Sequence, residues 1–293
     1  MPLNIRNNET DYIGRPDLKA ELSRNEFLLF RQWLYDEAGI QLADAKQALV
    51  AGRLGKRLRS LGLSSFKQYF DYIQGAGSAR SRTDAQLDEH QIALDLLTTN
   101  ETYFLRENAH FDFLKNEVLP RWKERPLHCW SAASSSGEEA YTLAMLLADN
   151  HVGEWKITGT DLNSSVVKLA QQATYPMERA KNIPRPWLQK YCLKGIEDKA
   201  GTFRMAAMIR QQVNFKQANL QHAQRGIGPF DVIFLRNVMI YFDLASKKKV
   251  LDNVIDRLKP DGVLLVGHAE SLNGISNRIR LISPSIYKLS DAV

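Results

Sequence analysis

The feature that most constrains the fold is a regular alternation of short apolar segments with amphipathic helical segments from residue 127 onward. Strand-like segments occur at 127–133, 155–160, 230–235 and 262–267, and helical patterns occupy 137–148, 164–173 and 244–258. Short apolar strands separated by amphipathic helices predict a parallel, doubly wound α/β sheet with helices on both faces. Ligands of such sheets bind outside the carboxyl ends of the strands. We therefore expect the functional residues just after each strand.

Two of these strand ends carry residues suited to a nucleoside ligand. Residues 134–137 form a turn of small residues that lets backbone approach a ligand, and two glutamates follow it. Its single glycine matches a dinucleotide fingerprint poorly, so a plain helix N-terminus is the alternative. Asp161, after the second strand, is placed to accept hydrogen bonds from ribose hydroxyls. Its alternative role is an N-cap, which Asn163 or Ser164 could equally fill.

The chain before residue 98 predicts a small all-helical unit. Ser23 and Glu26 have the spacing of a capping box that opens a helix over 25–38. Helical patterns follow at 46–61, 65–73 and 84–98, and residues 75–82, rich in glycine and serine, predict a flexible linker. We accordingly divide the chain into a helical domain with linker, 1–82, and a catalytic domain, 83–293.

Charge points to an acidic partner. The net charge is +6 and the isoelectric point is about 9.2. Nucleic acid, a membrane surface and an acidic protein all fit that balance. The basic residues concentrate in the amphipathic helix 46–61, where a solvated surface is the alternative to a binding face. The helix carries Lys46, Arg53, Lys56, Arg57 and Arg59.

Several classes of protein are disfavoured. No segment approaches the ~18 apolar residues that cross a bilayer, and residues 1–11 are polar, so we expect a cytoplasmic protein without an integral membrane segment. Cys129 and Cys192 form no spaced cluster and favour free thiols. The histidines are scattered singly, and His268 has no acidic or cysteine neighbour arranged for a catalytic triad or a metal site, so we expect it to be structural and expect no metal site.

Four segments together resemble the chemotaxis receptor glutamate methyltransferase family (CheR type). They are residues 98–107, 131–145 (SAASSSGEEAYTLAM), 158–161 and 236–243 (RNVMIYFD), in the family's order. The resemblance implies a Rossmann-like S-adenosylmethionine methyltransferase preceded by a helical domain. It also implies a small antiparallel β subdomain, which we assign to about 195–217 by pairing 203–205 with 213–215. A closing antiparallel pair is expected at 279–283 and 285–289.

The same resemblance assigns the site. The family transfers a methyl group from S-adenosylmethionine to glutamate carboxylates of chemoreceptors, leaving S-adenosylhomocysteine. Arg106 and Tyr241 are implied to face the methyl group and the substrate carboxylate. The implied cofactor residues are Asn100, Thr102, Arg106, Glu139 (with Glu138 the competing choice), Asp161, Asn219, Leu220, Arg236 and Asn237.

The implied chemistry agrees with the residues present. A carboxylate is already an ionised nucleophile near neutral pH, so no general base is required. Arginine offers a permanently charged planar fork for a carboxylate, and we expect Arg106 to orient the substrate and Tyr241 to adjust it. We expect Arg53, Lys56 and Arg57 to recognise acidic methylation segments of receptor cytoplasmic helices, which would recruit the enzyme to membrane receptors.

Other readings stay open at this point. A receptor C-terminal peptide is a candidate ligand of the β subdomain. A nucleic-acid methyltransferase is an alternative that residues 236–239 disfavour, because enzymes methylating exocyclic amines commonly carry an Asn-Pro-Pro-Tyr-like segment there; we expect no nucleic-acid partner. A cofactor-binding scaffold without catalysis is the other alternative.

Overall fold

The described part of the N-terminal unit contains four α-helices. The computed structural model describes residues 20–75 and 83–290; the predicted linker, 75–82, lies outside the described residues except for Gly75. Ser23 caps the first helix through the predicted capping box with Glu26, and Gly39 ends it in the left-handed conformation. The helices are α1 (Arg24–Ala38), α2 (Gln47–Ser60), α3 (Phe66–Gln74) and α4 (Asp84–Leu97).

Helix α4 belongs to the core of this helical unit. Ala93, Leu94 and Leu97 of α4 are buried in the same apolar cluster as Phe30 of α1 and Leu54 of α2. The same helix also contacts the helix Ser164–Gln172, which follows the second strand of the catalytic unit. The helical unit as it is packed therefore extends to residue 97, past the boundary drawn at 82 from the sequence.

The catalytic unit contains a seven-stranded sheet with helices on both faces. Its strands are β1 (Leu127–Ala132), β2 (Trp155–Asp161), β6 (Val213–Gln217), β7 (Phe230–Leu235), β8 (Leu258–Val266), β9 (Ile279–Ser283) and β10 (Ile286–Leu289). Its helices are α5 (Ala109–Phe113), α6 (Glu138–Asn150), α7 (Ser164–Gln172), α8 (Arg185–Tyr191), α9 (Ala207–Arg210) and α10 (Leu244–Ile255).

The strand order confirms the doubly wound prediction. The order is β6-β2-β1-β7-β8-β10-β9, and the first five of these strands run parallel. Strand β10 pairs antiparallel with β8 and with β9, as expected for the closing pair. The order reverses direction at β1, so β1 lies at the topological switch point where such sheets bind ligands.

Alternate residues of the central strands enter two separate cores because successive strand side chains point to opposite faces. Cys129 of β1 and Phe234 of β7 lie in one core, where the buried face of α6 packs. Trp130 and Ile233, their chain neighbours, lie in the other core with α10. Both faces are thus covered, which explains the nearly continuous apolar runs of these strands.

The β subdomain differs from the predicted hairpin. It is a separate antiparallel sheet of β3 (Thr174–Pro176), β5 (Thr202–Met205) and β4 (Cys192–Lys194). The predicted partner segment 213–215 lies instead in β6, which pairs parallel with β2 at the edge of the main sheet. The physical reason is the burial of Phe215 in β6, whose ring packs against Tyr141 of α6 in the core of the main sheet and so favours pairing beside β2.

A short segment after α1 joins the two units. Ile40 forms an antiparallel bridge with Phe242, and the Gln41 amide donates to the Tyr241 carbonyl at 2.9 Å. The Tyr35 hydroxyl donates to Asp243 at 2.9 Å. These contacts hold the helical unit over the carboxyl ends of the parallel strands. In the described part of the chain, no helix combines the length and apolar character needed to cross a bilayer.

Candidate active site

A cavity of about 380 Å³ lies between the helical unit and the strand ends. Its walls come from the segments that follow β1, β2, β6 and β7, from residues 97–106, and from residues 38–49 of the helical unit. Every residue predicted to be catalytic or to contact the cofactor lines it. They are Asn100, Thr102, Arg106, Glu139, Asp161, Asn219, Leu220, Arg236, Asn237 and Tyr241.

Asp161 is buried at the end of β2 and its carboxylate is held by backbone amides. Ser135 donates to one oxygen at 2.8 Å and Asn163 to the other at 2.9 Å. Burial raises the pKa of Asp161 to about 6 in spite of these donors. Asn163, not Asp161, caps α7. The N-cap alternative for Asp161 is therefore excluded, and its carboxylate faces the cavity.

The turn before α6 depends on its glycine. Gly137 has a φ of +98°, which an L side chain rarely adopts, and a Cβ there would lie 3.0 Å from the Ala170 side chain. The two glutamates that follow this tight turn point to different sites. Glu138 is 1% exposed, accepts from Ser136 and pairs with Arg179 at 3.0 Å, away from the cavity. Only Glu139 of the two lines the cavity.

Glu139 is held from both sides. The Ser131 hydroxyl donates to one of its oxygens at 2.7 Å, and Arg236 donates to the other at 3.0 Å. Burial raises the pKa of Glu139 although Arg236 opposes that shift. A carboxylate fixed in this way can accept a further hydrogen bond from an ammonium group in the cavity.

Arg236 is a buried cation fixed at the end of β7. Its guanidinium pairs with Glu139 and, at 3.1 Å, with Glu107, and it donates to the backbone carbonyl of Arg106. It also lies 5.7 Å from the centre of the Phe111 ring. Two carboxylates neutralise Arg236, so it organises the cavity wall and is not a free anion-binding group.

Arg106 contrasts with Arg236. Its guanidinium donates to the Glu101 carbonyl at 2.8 Å and lies 5.7 Å from the Tyr103 ring centre. No carboxylate of the described residues lies within ion-pair distance of it. Arg106 is therefore a half-buried cavity-lining cation whose charge is available to a ligand.

The backbone around the arginines is strained. Leu105 and Glu107, on either side of Arg106, have φ values of +59° and +54°, and Asn237 after Arg236 has +56°. Ala133 and Ser135 in the turn after β1 are also left-handed. Such residues cost of order 1–3 kcal/mol each and cluster at functional sites. Their grouping on one cavity supports a site built for ligand binding.

Asn100, Thr102 and Asn219 line the cavity, and a hydrogen bond ties each of them to a neighbouring part of the fold. The Asn100 carbonyl accepts from Ser135 at 2.8 Å, and the Thr102 carbonyl accepts from Arg179 at 2.9 Å. The Asn219 side-chain amide donates to the Glu37 carbonyl at 2.6 Å, across the junction of the two units. Tyr241 contributes a hydroxyl that makes no hydrogen bond to described residues.

The predicted recognition residues of α2 do not line the cavity, and two of them bind partners within the helical unit. Arg53 donates to the carbonyls of Leu96 and Thr98 at the end of α4. Arg57 forms an ion pair with Glu89, which is 4% exposed. These two guanidiniums hold the helical unit together, so part of their hydrogen-bonding capacity is already used within the unit. Lys56 alone of the three is exposed and without a partner among the described residues.

Sequence reasoning missed the residues that support the site. Glu107 accepts from Arg236, from the Asn237 side chain and from the His268 amide. Glu270, 6% exposed, accepts from the amides of Asn237 and Gly267 at 2.7 Å. Burial alone would raise the pKa of Glu107, but the Asn237 hydrogen bond and the Arg236 charge outweigh it and lower the pKa. The one sequence feature that could have indicated Glu107 is that it is an acidic residue directly after Arg106.

Comparison with known proteins points to one family. The model described as "CheR methyltransferase, SAM binding domain" matches residues 100–287, and "CheR methyltransferase, all-alpha domain" matches residues 25–83. The chain is 37% identical to chemotaxis protein methyltransferase 2 of Pseudomonas aeruginosa, covering 90% of this chain and 93% of that protein. It is 38% identical to the chemotaxis protein methyltransferase of Escherichia coli, covering 93% of each. Identity to the Salmonella typhimurium protein of that name is 34%, over 99% of both chains.

Proposed function

This chain belongs to the CheR methyltransferase family and is an S-adenosylmethionine-dependent methyltransferase of chemotaxis; from that premise we propose that it esterifies glutamate side chains of chemoreceptors. The observation that carries the proposal is Arg106, a cavity-lining cation without a carboxylate partner among the described residues. A buried or half-buried cation of this kind matches an anionic substrate group.

The residues present fit the cofactor. Asp161 offers a carboxylate to ribose hydroxyls, Glu139 offers one to the methionine ammonium group, and Leu220 offers an apolar surface to the adenine. The cavity of about 380 Å³ falls within the size range of small-molecule and cofactor sites. Asn100, Thr102, Asn219, Arg236 and Asn237 complete the walls. When bound, S-adenosylmethionine supplies an electrophilic methyl group.

The chain's own task in the reaction is positioning. A glutamate carboxylate is ionised near neutral pH and needs no general base. Arg106 orients that carboxylate, and oriented reactants reach effective molarities of ~10⁵ M or more. Negative charge on the carboxylate is lost as the ester forms, so too strong a clamp would slow the transfer. A half-exposed arginine, assisted by the Tyr241 hydroxyl, is suited to orient without overbinding.

The substrate surface is proposed to be acidic and helical. Lys46, which lines the cavity, and Lys56 and Arg59 on α2 are exposed cations of the helical unit. They would attract the acidic methylation segments of receptor cytoplasmic helices and bring the enzyme to membrane receptors. Arg53 and Arg57 already have partners within the helical unit, so we assign the recognition face to these three residues.

A receptor C-terminal peptide at the small β3-β5-β4 sheet is a second proposed contact. Leu193 and Ile196, beside that sheet, are large apolar residues that are 58% and 71% exposed. Calorimetric titration with receptor-tail peptides tests this contact. Binding that survives L193S would contradict it.

Transfer of labelled methyl groups tests the main proposal. We expect label from S-adenosylmethionine to enter receptor-rich membranes and to be released by mild base, as an ester is. Label in RNA or DNA, or base-stable label, would instead favour a nucleic-acid or amine methyltransferase. Cofactor binding without any transfer would favour a regulatory scaffold.

A further inference from the structure

Three residues from separate parts of the chain converge behind the cavity wall. Glu107 follows the Arg106 turn, His110 lies in α5, and His268 follows β8. One ligand atom from each, a carboxylate oxygen and two imidazole nitrogens, lies within 4.8 Å of the others. The histidines looked scattered in the sequence, but the fold brings these two rings to a centroid distance of 4.7 Å.

His110 is buried without the hydrogen bonds that a buried imidazole needs. It is 1% exposed, and neither ring nitrogen has a hydrogen-bond partner among the described residues. Its Nδ1 lies 3.6 Å from a Glu107 oxygen, beyond hydrogen-bond distance. An unsatisfied buried polar group costs about 1–3 kcal/mol, and native structures rarely keep one without a ligand or a role.

We infer that Glu107, His110 and His268 form a binding site for a divalent transition-metal ion of the zinc class. Two histidines and one glutamate are a known zinc ligand set that leaves an open position. Bond lengths of about 2.0–2.2 Å require ligand atoms roughly 3.3 Å apart. His268 is exposed on the turn after β8 and can close the remaining gap with little cost to the core.

Local charge permits a cation. Arg236 lies 3.1 Å from Glu107, but Glu107 and Glu139 both pair with it, so the carboxylates outnumber the guanidinium. Arg236 and Asn237, which share Glu107 with the proposed metal, also line the cofactor cavity. A metal that draws on Glu107 would therefore be coupled to the cofactor site, and coupling of this kind is reciprocal.

Titration of the untagged, full-length protein with Co²⁺ alone tests the site. We expect one equivalent to give a visible absorption band of low-symmetry Co²⁺, displaced by Zn²⁺. His268→Gln should weaken binding by roughly tenfold or more, the scale expected for a residue that supports a metal site. His222→Gln, an exposed histidine outside the cluster, should bind as wild type does.

His110→Phe fills the same buried volume with an apolar ring and should also lose the metal, with folding checked by thermal unfolding. If His110→Phe does not fold, the comparison of His268→Gln with His222→Gln is sufficient to test the metal site. No saturable binding in the wild type, unchanged binding in His268→Gln, or equal loss in His222→Gln would each overturn the site.

Discussion

Replacing Arg106 with alanine tests how the substrate is held. The change removes one hydrogen bond, to the Glu101 carbonyl at 2.8 Å, and a ring contact with Tyr103. No ion pair is broken, so the free energy of unfolding should fall by only about 1 kcal/mol. A hydrogen bond from a charged group to the substrate carboxylate contributes about 1.5–3 kcal/mol. We therefore expect kcat/KM for the receptor to fall roughly 10- to 150-fold.

The assay is transfer of labelled methyl groups to receptor-rich membranes at saturating S-adenosylmethionine. Calorimetry should find that affinity for S-adenosylhomocysteine changes by less than about threefold, because Asp161 and Glu139 are untouched. Arg106→Lys keeps the charge but loses the planar fork, and its activity should be intermediate. Arg121→Ala is the matched control, since Arg121 is 71% exposed and lies outside the cavity.

Two results would refute the reasoning in different ways. Near-normal kcat/KM in Arg106→Ala, with cofactor affinity intact, would remove Arg106 from substrate orientation. A loss of cofactor affinity that matches the loss of turnover would assign Arg106 to the cofactor instead.

Three further predictions concern the cavity, the helical unit and the junction. Because the pKa of Asp161 is about 6, affinity for S-adenosylhomocysteine should rise about tenfold from pH 5 to pH 7 as the carboxylate ionises. Calorimetry on Asp161→Asn should find weaker binding that rises less with pH, and a pH profile identical to that of the wild type would contradict this. Arg57→Glu sets a second carboxylate beside a buried one and should lower the free energy of unfolding by about 3 kcal/mol, whereas Lys56→Glu should leave urea unfolding unchanged and weaken receptor methylation. Equal destabilisation by Arg57→Glu and Lys56→Glu would contradict a structural role for Arg57 alone. Gly39 and Gly62 have φ values of +70° and +68°, but a Cβ at Gly39 would lie 2.2 Å from a glutamine side chain whereas one at Gly62 meets nothing within 4 Å. Thermal unfolding should find a loss of about 1 kcal/mol for Gly62→Ala and at least about 2 kcal/mol for Gly39→Ala; equal losses would contradict the close contact.

Features that depend on local spacing were predictable from the sequence. The capping box at Ser23 and the parallel strands follow from patterns of a few residues. Asp161 and Arg236 could be placed because each comes directly after an apolar strand, and parallel strand ends meet at one edge. The family resemblance then supplied Arg106 and Tyr241, which no spacing rule identifies.

Features that depend on distant partners were not predictable. The segment 213–215 is short and apolar, and nothing local says whether it pairs in a hairpin or beside β2. Spacing places Arg53 and Arg57 on a cationic helix, but their partners, two carbonyls at the end of α4 and Glu89, lie more than thirty positions away. The convergence of His110 with His268 is likewise a product of the tertiary fold.

Helix α4 packs in the core of the helical unit and also contacts the catalytic unit. This arrangement matters for chimeras designed to exchange receptor preference between relatives. A chimera joined within the linker would leave the recipient's α4 facing a foreign α1–α3 core, with Leu94 and Leu97 packed against unmatched side chains. A graft that ends after Leu97 and includes residues 40–43, the segment after α1 that joins the two units, transfers the helical unit with its core intact. Arg106 and the strained turn around it then stay with the recipient, so substrate choice and methyl transfer can be varied separately.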